Sequence, residues 1–275
     1  MPHRSTFARF LGVFALALAL AAVSAPVDAK TAPARATIRL LDNAFDAPNA
    51  IAGPLVDIDI VNDGKVAHEL AIGRLRPGTT IDQVTASIKR HERNAAFVVD
   101  DPGGVSLLGA GERLRYQRVL EPGLYEIFCP MPMPDGTSHA QHGMVRLVTV
   151  TKTRAGTLPR AEATITLTDK AIMLGTLMAG THTIAITNRG TKPHELSIVG
   201  VAKPSDLSQG EQIVKWIEGG QSGPPPINVT FPGGQQSIKP GVAVNMTITL
   251  QKGRTYHFDD TGDGSSPLSA DLTLR

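Results

Sequence analysis

Apolar and polar residues alternate in short runs along most of this chain. VDIDIV (56–61), LYEIF (124–128), VRLVTV (145–150), HTIAIT (182–187), VNMTITL (244–250) and ADLTL (270–274) each send every second side chain to one face. That is the period of a half-buried β-strand. Gly, Pro, Asn and Asp punctuate the chain between the runs. Two stretches depart from the pattern. Ile81–Arg90 reads as a helix, and in Glu211–Glu218 the residues Ile213, Trp216 and Ile217 fall at helical spacing. Many short strands with one inserted helix per half predict an all-β chain built of Greek-key sandwiches.

The halves repeat. Val61–Leu75 (VNDGKVAHELAIGRL) aligns with Thr187–Val201 (TNRGTKPHELSIVGV), placing Asn62 on Asn188, Gly64 on Gly190 and His-Glu-Leu on His-Glu-Leu at an offset of 126. Upstream, ARATIRLLD ending at Asp42 matches AEATITLTD ending at Asp169. Downstream, Pro102-Gly103-Gly104 recurs as Pro232-Gly233-Gly234, and Leu120…Gly123…Phe128 recurs as Leu250…Gly253…Phe258, with the offset grown to 130. A small insertion near Pro224-Pro225-Pro226 accounts for the change. Self-similarity of this kind is the mark of a duplicated unit. With Thr151–Arg160 as the linker, the expected domains are 30–152 and 153–275.

Residues 1–29 read as a Sec-type signal peptide. Arg4 and Arg9 precede the thirteen-residue apolar run Leu11–Val23, and Val27-Asp28-Ala29 offers a small-residue cleavage site. The run is too short to span a bilayer, and no later stretch is long and apolar enough to do so. The expected location is therefore periplasmic or secreted. The remaining residues are nearly charge-balanced. Residues 30–152 carry 14 Lys/Arg against 14 Asp/Glu, and 153–275 carry 11 against 10. A nucleic-acid partner is excluded on that balance. Export makes the single cysteine, Cys129, conspicuous: exported chains use cysteines in disulfide pairs, and an unpaired thiol there needs burial or a metal.

One loop gathers soft and borderline ligands around that cysteine. It runs Cys129-Pro-Met131-Pro-Met133-Pro-Asp-Gly-Thr-Ser-His139-Ala-Gln-His142-Gly-Met144, between the strands 124–128 and 145–150. Two imidazoles, a thiolate and a weak axial thioether are the ligand set of blue copper. His139 leaves four residues between itself and Met144, whereas His142 leaves only one; His139 is the better ligand and His142 belongs to an exposed rim. The second imidazole must come from elsewhere, and His68, just past a strand in the repeated Asn-Gly-His segment, is the candidate. Met131 and Met133 read as loop residues between prolines or as Cu(I) donors of a copper-delivery protein. Asp259, Asp260 and Asp263 have the look of a calcium loop but lack its bidentate glutamate. Glu69 and Glu195 read as solvent-facing strand residues, with a role behind the adjacent histidines as the alternative.

These residues resemble the cupredoxin family, in particular plastocyanin- and azurin-like copper proteins. The resemblance rests on N-x-G-x-x-x-H (Asn62, Gly64, His68) and Y-x-x-F-C-P…H-x-x-x-G-M (Tyr125, Phe128, Cys129, Pro130, His139, Gly143, Met144). It implies two tandem cupredoxin-like Greek-key β-sandwiches and one type 1 copper, with His68, Cys129 and His139 equatorial and Met144 axial. The spacing from Cys129 to His139 exceeds that of small electron carriers and is closer to that of the type 1 site of two-domain copper nitrite reductases. In the second half Asp259 follows Phe258 where Cys129 follows Phe128, and His194 remains without companions, so that domain is expected to lack copper. The nitrite reductases place a histidine directly before the cysteine, where this chain has Phe128, so no enzymatic activity is expected. The implied role is one-electron transfer with a redox partner protein; copper delivery or storage is the alternative. Homo-oligomerisation like that of the nitrite reductases stays open.

Overall fold

The computed structural model describes residues 35–92, 96–154, 156–260 and 268–275; the expected signal peptide lies outside them. The first half contains β1 (Ala36–Leu41), β2 (Ala44–Asp46), β3 (Ala50–Asn62), β4 (His68–Leu75), α1 (Ile81–Lys89), β5 (Val98–Leu108), β6 (Arg113–Val119), β7 (Gly123–Phe128) and β8 (Val145–Arg154). The second contains β9 (Ala163–Thr168), β10 (Ala171–Leu174), β11 (Gly180–Asn188), β12 (His194–Val201), α2 (Gly210–Glu218), β13 (Val229–Thr230), β14 (Pro232–Ile238), β15 (Ala243–Leu250), β16 (Thr255–Asp260) and β17 (Leu268–Thr273). Apart from the two-residue β13, every element has a counterpart in the other half, as the repeat predicts. The strand register of β8 runs through Thr151 to Arg154, because these residues pair in parallel with Ala52–Pro54 of β3. The linker is correspondingly shorter than expected.

The fold is all-β, two cupredoxin-like sandwiches in tandem, and their sheets are continuous. One sheet has the order β2-β1-β3-β6-β15-β11-β9-β10. The other runs β8-β7-β4-β5-β14-β12-β16-β17. Both cross from one half to the other on a pair of equivalent strands. Tyr116 faces Met246 where β6 meets β15, and Val105 faces Gln235 where β5 meets β14. Each pair joins residues 130 positions apart, so a local two-fold axis passes through both. The repeated Pro-Gly-Gly lies on this seam. A Cβ at Gly104 would strike the Leu70 carbonyl, and one at Gly234 the Leu196 carbonyl; only glycine permits backbones to approach so closely.

The alternating faces meet between the sheets. Ile38, Ile58, Ile60, Leu70, Ile72 and Tyr116 of the first half join Ile165, Ile184, Ile186, Leu196, Ile198 and Met246 of the second in one buried cluster. Helix α1 is started by Thr80, whose hydroxyl accepts from Gln83 N–H at 3.3 Å while Gln83 Oε1 accepts from Thr80 N–H at 2.8 Å, a capping box. Among the described residues, no helix is long and apolar enough to cross a membrane.

Candidate metal centre

The Asn-Gly-His segment is a buried clamp. Asn62 Nδ2 donates to the carbonyls of Val66 (2.8 Å) and Leu108 (2.7 Å), and its Oδ1 accepts from Gly64 N–H (2.9 Å). This fixes the turn between β3 and β4 and delivers His68 as the first residue of β4. Asn188 makes the same three bonds, to Lys192, Ile238 and Gly190, at 2.7 Å each.

The loop between β7 and β8 is held along its length. Cys129 N–H donates to Met144 O (3.1 Å), His139 N–H to Met131 O (2.9 Å), Ala140 N–H to Cys129 O (2.9 Å) and Met144 N–H to His139 O (3.0 Å). Ser138 caps the short 3₁₀ turn His139–His142: its hydroxyl accepts from Gln141 N–H, and Gln141 Oε1 accepts from Ser138 N–H. Asp135 closes the loop's tip by accepting from Thr137 N–H at 3.0 Å.

Strand and loop bring three donor atoms to one point. His68 Nδ1 is 2.9 Å from His139 Nδ1, and Cys129 Sγ is 3.8 Å and 3.5 Å from them in turn. Cys129 and His68 have no exposed surface and His139 only 2 %. Met144 is fully buried, and its backbone is bonded to both Cys129 and His139. Met131 is buried in the core cluster and Met133 is half-buried at the loop's tip. His142 stays outside the group: it is exposed, with Nε2 2.7 Å from Thr137 Oγ1 and 3.4 Å from Asp135.

The electrostatics favour neutral donors awaiting a cation. Burial, helped by the neighbouring His139, pushes His68 down to about 4, and burial lowers His139 as well. Both imidazoles are therefore uncharged near neutral pH, with ring lone pairs to offer. Burial pushes the Cys129 thiol up to about 12, so only a bound cation can make it a thiolate at ordinary pH. His68 Nε2 is buried without a hydrogen bond; the nearest carboxylate oxygen, of Asp42, stands at 3.5 Å. Two facing imidazole nitrogens share at most one proton, whereas one metal ion satisfies both and the sulfur together. Two imidazoles and one thiolate are donors that fit copper, and among the described residues this is the one convergent group of three metal-capable side chains. The fold is cupredoxin-like, and His68, Cys129 and His139 are the side chains that would hold one copper ion.

No protein-family model matches the sequence, and no curated protein matches it significantly. Solved structures do match. Auracyanin from Roseiflexus castenholzii is 18 % identical over 42 % of this chain and 94 % of its own, with a TM-score of 0.29. A blue copper oxidase from Nitrosomonas europaea is 13 % identical over 86 % of this chain and 85 % of its own, with a TM-score of 0.26. A copper nitrite reductase from the same organism is 14 % identical over 87 % of this chain and 93 % of its own, with a TM-score of 0.25. The absence of enzymatic activity expected from the sequence is corrected by these matches. Structures named as an oxidase and a nitrite reductase are among those similar across most of the chain.

The second half differs from the sequence alignment by one residue. β4 pairs Ala71 with Phe128, and the equivalent Ser197 of β12 pairs with Asp259. Asp260, not Asp259, therefore stands in the place of Cys129. The turn before β16 is one residue longer than that before β7, and this moves the register. Asp260 Oδ2 lies 2.5 Å from His194 Nδ1, and Asp260 Oδ1 accepts from Glu195 N–H at 2.9 Å. Asp169 holds the other ring nitrogen of His194 at 3.1 Å. Asp263 of the calcium-like run lies outside the described residues. Glu69 and Glu195 also depart from expectation: both are partly buried near the seam, and Glu69 accepts from Gln236 Nε2 across it at 2.6 Å.

Proposed function

We propose that this chain is an exported type 1 copper protein that passes single electrons to and from a partner protein. His68, Cys129 and His139 form the equatorial set and Met144 supplies the axial thioether. Residues 30–152 form the copper domain, and residues 153–275 form a domain in which Asp260 takes the cysteine's place. The convergence of two neutral imidazole nitrogens and one thiol in a dry pocket carries this reading. Bound copper would supply the one-electron couple; the chain's own contribution is to keep the donors still. Backbone bonds at both ends of the Cys129–Met144 loop, the cap on His139 and the Asn62 clamp on the His68 turn resist movement when the metal changes charge. His142, exposed three residues beyond His139, marks the rim at which a partner protein approaches. A signal peptide at 1–29 places the chain where an unpaired cysteine is protected by burial and ligation.

Cyclic voltammetry of the copper-loaded chain tests this reading. A reversible one-electron wave that disappears in Cys129→Ser is the expected result. A wild-type chain with no reversible wave, or a wave that survives in Cys129→Ser, contradicts it.

A further inference from the structure

One turn of the second half touches two segments that carry the first half's donors. Helix α2 ends with Gly219 N–H donating to Lys215 O, Gly220 N–H to Ile217 O and Gln221 N–H to Trp216 O, each at 2.9 Å. The turn leaves Gln221 at φ 56°, a left-handed conformation that residues other than glycine adopt only at a cost. The side chain thus aimed is 4 % exposed and pairs with the backbone of one residue at two points. Its Oε1 accepts from Ala67 N–H at 2.6 Å, and its Nε2 donates to Ala67 O at 2.9 Å. Ala67 immediately precedes His68. A backbone residue bonded at both its N–H and its carbonyl cannot rotate without breaking two buried hydrogen bonds. The direction in which His68 leaves the backbone is fixed by that pairing.

The second contact comes from the neighbouring residue. Gly220, at φ 74°, lies directly against Met133 and Pro134, where a Cβ would collide with the Pro134 ring and the Met133 carbonyl carbon. Those two residues belong to the loop that joins Cys129 to His139. The same turn thus bears on the peptide before one imidazole and on the loop that carries the thiol and the other. The repeat shows what is inherited and what is particular. His91, 130 residues earlier, also has φ 56°, but its ring meets Gln141 of its own half at 3.2 Å. The left-handed turn is common to both helices, whereas the grip on Ala67 comes from α2.

We propose that Gln221 is a positioning residue for His68, through which the second half holds the copper donors in register. This rests on the copper reading above. The test compares the full chain with Gln221→Leu and Gln221→Glu, each loaded with Cu(II), by EPR hyperfine splitting and reduction potential. Amide exchange and His68 ring shifts are read by NMR before copper is added. Gln221→Leu is expected to bind one copper, to move both the hyperfine splitting and the potential, and to speed Ala67 N–H exchange by about tenfold. Gln221→Glu keeps an acceptor for Ala67 N–H and is expected to return part of the way to wild type. An unchanged hyperfine splitting and potential in Gln221→Leu overturns the proposal. If that variant does not fold, an unchanged spectrum in Gln221→Glu overturns it. A wild-type chain that takes up no copper defeats the metal reading instead. The NMR arm then decides alone, and His68 ring shifts that Gln221→Leu leaves unmoved overturn the positioning role.

Discussion

Cys129 Sγ and the Asp260 carboxylate hold the same place in their two halves. Each accepts the backbone N–H that follows the strand histidine, from Glu69 at 3.4 Å and from Glu195 at 2.9 Å. In the first half the histidine's Nδ1 looks toward a thiol and a second imidazole. In the second, the other carboxylate oxygen of Asp260 reaches the histidine itself. A carboxylate thus fills the space that a metal and its sulfur would occupy. Replacing it leaves a buried histidine nitrogen and a buried N–H with weakened partners, so Asp260→Asn should cost about 2–4 kcal/mol. Urea unfolding measures this, with the spectrum of bound copper unchanged. A variant as stable as wild type contradicts the assigned role of Asp260.

The paired asparagines separate fold from site. Asn62→Ala and Asn188→Ala each remove three hydrogen bonds made by a buried amide, and each should lower stability by about 2–4 kcal/mol. Only Asn62→Ala should also weaken copper binding, because it frees the turn that delivers His68. Copper titration of both variants checks the difference; equal copper affinities would show that the clamp does not govern the site.

Much of this was legible in the sequence, for physical reasons that differ from residue to residue. Alternation located the strands because each has one buried face. The Asn-Gly-His repeat was readable because one buried amide satisfies three backbone groups in each half, and no other side chain of that size can. The three converging donors were named from their chemistry and spacing. The seam was not readable: alternation shows which face of β5 or β6 is buried, but not that their edges pair with β14 and β15. The shift from Asp259 to Asp260 was hidden for a related reason, since a one-residue difference in a turn leaves no trace until strand pairing fixes the register. Gln221 gave no local signal, because its partner Ala67 is 154 residues away.

Glu126 supplies a pH test away from the ligands. Burial, with the nearby Asp101 carboxylate, raises its carboxyl to about 7, against roughly 4.3 in an unfolded chain. Between those values the folded state holds a proton that the unfolded state has lost, so stability falls as pH rises from about 4 to about 7 and is level above. Glu126→Gln should remove this slope. It should match wild type near pH 4 and exceed it by about 1–3 kcal/mol at pH 8. Parallel pH profiles for the two proteins contradict the assignment.

Met144 tests the axial position. A thioether donor stabilises the site weakly and tunes its potential. Met144→Leu should keep the blue colour and raise the reduction potential, read by voltammetry. An unchanged potential would remove Met144 from the ligand set.

The central claim is that His68, Cys129 and His139 hold one copper ion. Titrating Cu(II) into the purified chain while recording visible and EPR spectra tests it most directly. An intense blue absorption that saturates at one equivalent, with the narrow hyperfine splitting of a copper–thiolate bond, is predicted for the wild type and should vanish in Cys129→Ser. A colourless protein, or a copper signal indifferent to Cys129→Ser, would contradict it.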